Sequence, residues 1–232
     1  DYIADEEHPV SSKDILKLYE GIFTRIMKAY PIDYYWFWTP EGWTWSNIAE
    51  AQVKDAMDDV RLAMAAAKKV NAPFKLATCG WVLGPQYDRS LFDRELPKDM
   101  PMSCISRAVG HDPVEPGFAK VSGRPKWAIP WLEDDPALAS PQLWAGRMRK
   151  DAADALDYGC TGLMGIHWRT RVLSPNISAL AQAAWSQTGW RRPTSRPSVT
   201  QDSESKPAFT RFLPTDDFYK DWATIEFGQL AG

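Results

Sequence analysis

The chain has 232 residues, with 30 acidic and 27 basic side chains and a formal charge of -3. Hydrophobic residues make up 44% and charged residues 25%, which excludes a disordered or fibrous chain, and no apolar run approaches the ~18 residues of a membrane span. The acidic balance supplies no basic field for non-specific nucleic-acid binding, so the 12 Trp are the feature that needs explaining.

The first helical pattern runs from Ser12 to about Tyr30, with Ile15, Leu18, Ile22 and Ile26 at helical spacing and Ser11 or Ser12 as N-cap. An aromatic run, Ile32 to Trp38, reads as a buried strand. A second helix follows from about Asn47 to Val70, with Val53, Met57, Val60, Met64 and Ala67 on one face. Phe74 to Trp81 is the next strand, and a short helix over Ser90–Glu95 leads to a strand at Met102–Arg107. Lys126–Leu132 is a weaker strand, because Pro130 removes a ladder donor. A helix from about Pro141 to Asp157 turns Leu143, Met148, Ala152 and Leu156 inward and stops at Gly159. Thr161–His167 is the fifth strand and Asn176–Gln187 the following helix.

From Thr188 to Pro207 the composition turns polar and Pro-rich, which predicts a linker or long surface loop. After it, Asp216–Phe227 reads as one amphipathic helix stopped by Gly228. That helix either folds back on the preceding domain or begins another. The segments are therefore 1–187 as a catalytic domain, 188–207 as linker and 208–232 as a C-terminal helical segment.

Alternating strands and helices imply an α/β fold with a parallel sheet and right-handed crossovers. No Gly-rich loop follows a strand, which disfavours a doubly wound nucleotide-binding sheet. The loops after the strands are long and rich in Trp and charged residues, as on the catalytic face of a (β/α)8 TIM barrel. Five strands then correspond to strands four to eight. The remaining three are expected from the rest of the same polypeptide or from a second chain.

Two carboxylates stand at the ends of such strands. Glu41 follows the first in Trp36-Phe-Trp-Thr-Pro-Glu-Gly-Trp-Thr-Trp45, and Glu133 follows the fourth in Trp131-Leu-Glu-Asp-Asp135. Glycosidic cleavage needs one carboxylic acid to protonate the leaving oxygen and a second carboxylate to attack carbon or activate water. Glu41 is expected as general acid/base, with its pKa raised by surrounding indoles, and Glu133 as nucleophile or base. The alternative readings are a helix-capping residue for Glu41 and a salt-bridge residue for Glu133. Asp134 or Asp135 could replace Glu133.

Flat indoles match the C–H faces of pyranose rings, and Trp38, Trp43, Trp45, Trp81, Trp131 and Trp168 all fall at strand ends or in the following loops. Trp36, Trp127, Trp144 and Trp185 are expected in the core. His167, Arg169 and Arg107 are candidate clamps for hydroxyl or anionic groups of a sugar. The run Asp5-Glu-Glu-His8 offers further acids, with a substrate-assisted Asp–Glu pair or a solvated charged run as its readings. His8, His111 and His167 lack metal-ligand spacing, and Cys79, Cys104 and Cys160 include no CxxC, so neither a metal nor another cofactor is expected.

The segments Tyr34–Trp43, Trp131–Asp135 and Gly162-Leu-Met-Gly-Ile-His-Trp-Arg-Thr-Arg171 resemble bacterial polysaccharide-degrading glycoside hydrolases. The resemblance covers roughly residues 1–187 and is to the C-terminal part of a (β/α)8 catalytic domain, of the broad type including retaining clan-A glycosidases and α-glucuronidase-like enzymes. Clan-A enzymes carry Asn before the acid/base Glu, where this chain has Pro40. The resemblance implies a secreted or periplasmic enzyme acting on a plant or algal glycan, with no nucleic-acid or membrane partner. The competing readings are a non-catalytic carbohydrate-binding or scaffold module, and a barrel enzyme of other chemistry such as a lyase.

Overall fold

The computed structural model describes residues 11–106, 114–133, 142–169, 171–188, 190 and 213–229. The Asp5–His8 run and all of the expected linker except residues 188 and 190 lie outside the described residues. The described chain contains helices α1 (Ser12–Ala29), α2 (Glu50–Lys69), α3 (Leu91–Glu95), α4 (Ala145–Asp157), α5 (Ser174–Trp185) and α6 (Asp216–Phe227). The strands are β1 (Tyr34–Thr39), β2 (Lys75–Gly80), β3 (Met102–Ile105), β4 (Lys126–Ile129) and β5 (Gly162–Leu163). They form one parallel sheet in chain order, so the α/β class and the alternation read from sequence hold. The chain divides into two compact units, Asp1–Met102 and Ser103–Gly232.

In the first unit Ser11 caps α1, its Oγ accepting the Asp14 backbone N–H at 3.2 Å. Successive residues of a strand point to opposite faces, so Tyr35 and Phe37 turn to the helices while Trp36 and Trp38 turn away. Phe23 of α1 meets Tyr35 at 5.0 Å and Phe74 at 5.4 Å between ring centroids, and Ala63 and Ala66 of α2 complete the cluster. The inward stripe of α2 buries Val53 and Met57 as the spacing predicts, with Val60 and Ala67 partly buried against the cluster, and it also buries Ala63 and Ala66. On α1, Ile22 and Ile26 pack on the cluster, but Leu18 is exposed.

β1 and β2 pair over six residues, from Tyr34–Lys75 to Thr39–Gly80. Gly80 has φ +115°, and a Cβ there would lie 2.8 Å from the Thr39 backbone nitrogen. Only glycine fits this close approach. Thr39 Oγ1 accepts the Val82 N–H at 3.0 Å, so the exits of the two strands are tied together.

In the second unit, pairing continues beyond the formal ends of β4 and β5. Met164 N–H reaches Ala128 O at 3.0 Å, Ile166 N–H reaches Pro130 O at 3.0 Å, and Leu132 N–H reaches Ile166 O at 3.0 Å. Pro130 interrupts nothing here, since the ladder uses its carbonyl and not the missing N–H. Gly165 allows the contact, because a Cβ at that position would sit 2.8 Å from Leu132 Cδ1.

Behind these strands lies a core of Leu132, Ala145, Met148, Leu173, Ala179, Leu180 and Phe218. Phe218 belongs to α6, so the C-terminal helix folds back onto this unit. Tyr219 Oη accepts the Ala145 N–H at 3.1 Å, and the buried Arg149 holds Asp217 through two bonds of 2.8 and 2.9 Å. Of the residues expected to turn inward, Leu143 just before α4 and Leu156 within it are exposed, while Met148 and Ala152 are buried. The buried surface of α4 includes Arg147, Arg149 and Asp151. An apolar period could not reveal this, since three of the nine buried residues are charged.

Asp151 is buried, and among the described residues its Oδ2 has no hydrogen-bond partner. Burial first, then the neighbouring Asp154, pushes its carboxyl well above the usual carboxylate range, against the opposing pull of Arg147 and Lys150. A carboxyl raised in the folded state destabilises the fold at every pH where it would ionise in the unfolded chain. That penalty is full above the folded pKa and vanishes below the unfolded one. Asp151→Asn is expected to raise the melting temperature at pH 7 by about 2–5 °C. The gain should shrink toward zero as pH falls below the ordinary aspartate range, and thermal melts across pH check both statements.

Candidate functional site

The end of β1 and the turn after it carry the first group of expected site residues. Pro40 leads into a 3-10 turn, Glu41–Thr44, with Trp45 at its C-terminal cap. Trp38 is 60% exposed and Trp45 54% exposed, while Glu41 between them also faces solvent. The Trp45 ring stands edge-on to Trp81 with centroids 6.2 Å apart, and Trp81 is itself buried. Trp81 therefore supports the platform and is not its surface. Trp43 is buried, with its ring 6.0 Å from Phe92, so it packs and does not face a ligand. Glu41 is open to water, so its carboxyl is not enclosed as expected.

The turn is held by two side chains that no motif singled out. Gln86 donates to Thr44 O at 2.8 Å, and Arg89 donates to Gly84 O at 2.7 Å and to Trp43 O at 3.4 Å. Both lie in the loop after β2, and only the structure shows that this loop braces the one after β1.

The second group lies where the extended β4 and β5 end. Trp131 is buried, its Nε1–H donating to Ser106 O at 2.8 Å, so the expected sugar contact at this residue is corrected to a core role. Glu133 is 0% exposed. Its Oε1 accepts the backbone N–H groups of Trp168 at 2.5 Å and Arg169 at 2.8 Å, and its Oε2 accepts the Arg169 Nε–H at 2.5 Å. Burial alone would raise this carboxyl, but the two backbone donors and then the Arg169 guanidinium outweigh it and hold it below the usual carboxylate range. A carboxylate enclosed and bonded through both oxygens has no face for an anomeric carbon or a water. The expected nucleophile or base is in this structure the salt-bridge residue of the alternative reading.

Arg169 is likewise engaged, its charge balanced by Glu133, which takes away the free cation expected to clamp an anionic sugar. His167 and Trp168 face outward, Trp168 being 60% exposed. His167 Nδ1 lies 2.6 Å from Arg169 O. Asn176, fully buried, donates to Leu132 O and to Gln142 O at 2.8 Å each and accepts the Trp144 N–H at 2.8 Å. It fixes the backbone immediately before Glu133. Its only sequence signal is a polar residue in the first turn of an apolar helix.

Of the four Trp expected in the core, Trp144 is buried and Trp36 and Trp127 are half-buried, but Trp185 is 93% exposed at the end of α5. Arg107, Asp134 and Asp135 lie outside the described residues, as do Asp5, Glu6, Glu7 and His8.

No known protein family and no curated protein matches this chain. Function therefore rests on the residues. Among the described residues, no group of three or more His, Cys, Asp or Glu is arranged to hold a metal ion. Nor, among them, is any helix long and apolar enough to cross a membrane. What the described residues offer is, in the first unit, a solvent-open carboxylate flanked in sequence by two exposed indoles. The second unit offers an exposed indole beside an exposed imidazole, set by a buried carboxylate.

A carboxyl depressed in the folded state stabilises the fold above its unfolded pKa, and that contribution is lost as pH falls through the folded value. Glu133→Ala also leaves two backbone N–H groups and a guanidinium without their acceptor. It is expected to cost about 3 kcal/mol at pH 7. Chemical denaturation should show the gap to wild type narrowing on acidification.

Proposed function

We propose that this chain is part of a glycoside hydrolase that cleaves O-glycosidic bonds in a plant or algal polysaccharide. The observation that carries the reading is the exposure of Glu41 and of Trp38 and Trp45, which flank it in sequence, at the C-terminal end of a parallel strand. Large exposed indoles cost solvation free energy unless a ligand covers them, and flat aromatic faces suit the C–H faces of pyranoses. A carboxyl open to solvent near such indoles in sequence is a candidate proton donor to a glycosidic oxygen.

In this reading the parallel sheet is an arc of a (β/α)8 barrel, whose catalytic groups gather at the C-terminal strand ends. Glu41 is the proton donor and acceptor. Glu133 is enclosed and does not serve as the second carboxylate. The likeness of Tyr34–Trp43 and Gly162–Arg171 to bacterial glycan-degrading enzymes supports the same class, and with it secretion or a periplasmic location.

The enclosure of Glu133 also favours a second reading, a carbohydrate-binding module that keeps the platform without a carboxylate pair. Glu41→Gln separates them. In the intact protein, the hydrolase reading predicts a fall in kcat of about 10²–10⁴-fold with little change in oligosaccharide affinity. Trp45→Ala should weaken affinity by roughly three- to tenfold, read by tryptophan fluorescence on titrating cellohexaose, xylohexaose and agarohexaose. Sugar binding without turnover in the wild type would leave the binding module. Turnover retained by Glu41→Gln would overturn the assignment of Glu41.

A further inference from the structure

Residues 167–169 form a turn in which one buried carboxylate takes up two consecutive backbone N–H groups and a side chain. Consecutive N–H groups converging on one oxygen make a concave anion-binding nest, and Glu133 Oε1 fills it at 2.5 and 2.8 Å. Oε2 takes the Arg169 Nε–H, so the side chain that follows the nest is tied to the same anion. The carboxylate is rigidly placed, since Leu132 before it is fixed by the ladder to Ile166 and by Asn176.

The orientation passes one step further. Arg169 O can only accept a hydrogen bond, so at 2.6 Å the His167 Nδ1 must be the donor. In the neutral ring the proton then sits on Nδ1, and Nε2 keeps its lone pair. Because both His167 and Trp168 are exposed, that acceptor stands next in sequence to an open indole.

We propose that Glu133 is a positioning residue whose buried carboxylate shapes the 167–169 turn, so that the Trp168 indole and the His167 Nε2 together contact a sugar ring and one of its hydroxyls. This deepens the carbohydrate reading above and rests on it for the identity of the ligand. The chemistry is complementary: an indole covers the C–H face of a pyranose, and a ring hydroxyl donates to the free imidazole nitrogen. The Arg169 charge is balanced in place, so this contact selects by shape and hydroxyl placement and not by attraction of an anion.

The test joins a spectroscopic readout to a binding one, on the protein labelled with ¹⁵N. Long-range ¹H–¹⁵N spectra should show wild-type His167 as the Nδ1–H tautomer. In Glu133→Gln, which cannot hold both the nest and the guanidinium, the two tautomers should mix. Affinity for cellohexaose, xylohexaose or agarohexaose should fall about three- to tenfold in Glu133→Gln, in Trp168→Ala and in His167→Ala. Glu133→Gln added to the double variant His167→Ala/Trp168→Ala should weaken binding no further, because it acts through those two side chains.

Should Glu133→Gln fail to fold, Glu133→Asp keeps the charge but withdraws it by one methylene and is expected to give the same mixing. A tautomer unchanged in either folded variant would overturn the proposal, as would a further loss on adding Glu133→Gln to His167→Ala/Trp168→Ala. If no oligosaccharide binds the wild type, the carbohydrate reading and the sugar contact proposed here fail together. The tautomer shift would then still show whether Glu133 sets the turn.

Discussion

A single buried negative charge organises the second unit of this protein. Carrying a carboxylate into a protein interior is costly unless donors replace the water it loses. Glu133 recovers three hydrogen bonds, all from two adjacent residues, and this places the chain after β5 directly against the chain after β4. The parallel ladder, the carbonyl of Pro130, the missing Cβ of Gly165 and the amide of Asn176 all serve to bring the two strand ends to that meeting. These bonds tie the backbone of residues 168 and 169 to Glu133, while the His167 and Trp168 side chains stay exposed.

The same logic explains how the Trp content divides. Indoles whose N–H or ring finds a partner inside, as Trp131 does on Ser106 O and Trp43 does against Phe92, are structural. Indoles left in water at strand ends, Trp38, Trp45 and Trp168, are the ones with surface to offer. Trp81 stands between the classes, being buried but holding Trp45 upright. Exposure, not position in a loop, separates the two. The two units each carry their own aromatic surface, one beside an open carboxylate and the other beside an imidazole.

Much of the architecture was legible in the sequence because it depends on local rules. The periodicity of α1 and α2, the glycine stops at Gly159 and Gly228, and the aromatic strand β1 are all set within a few residues. Asp216–Phe227 was legible to the residue. What was hidden is non-local. The burial of Arg149 depends on Asp217, 68 positions away, and the enclosure of Glu133 depends on a backbone turn 35 positions later. A carboxylate at a strand end looks the same in sequence whether it faces a substrate or a nest of N–H groups. Leu143 and Leu156 misled for the related reason that α4 buries charged residues that period-counting discards.

The most direct check of this picture is the ionisation of Glu133 itself, followed by ¹³C NMR of its carboxyl carbon through an acid titration. A positioning carboxylate held by two N–H groups and a guanidinium must titrate below the ordinary glutamate range and remain ionised throughout the working pH of the protein. A carboxyl that instead titrates at or above that range would be an acid or base available for chemistry. It would contradict the structural role on which the rest is built.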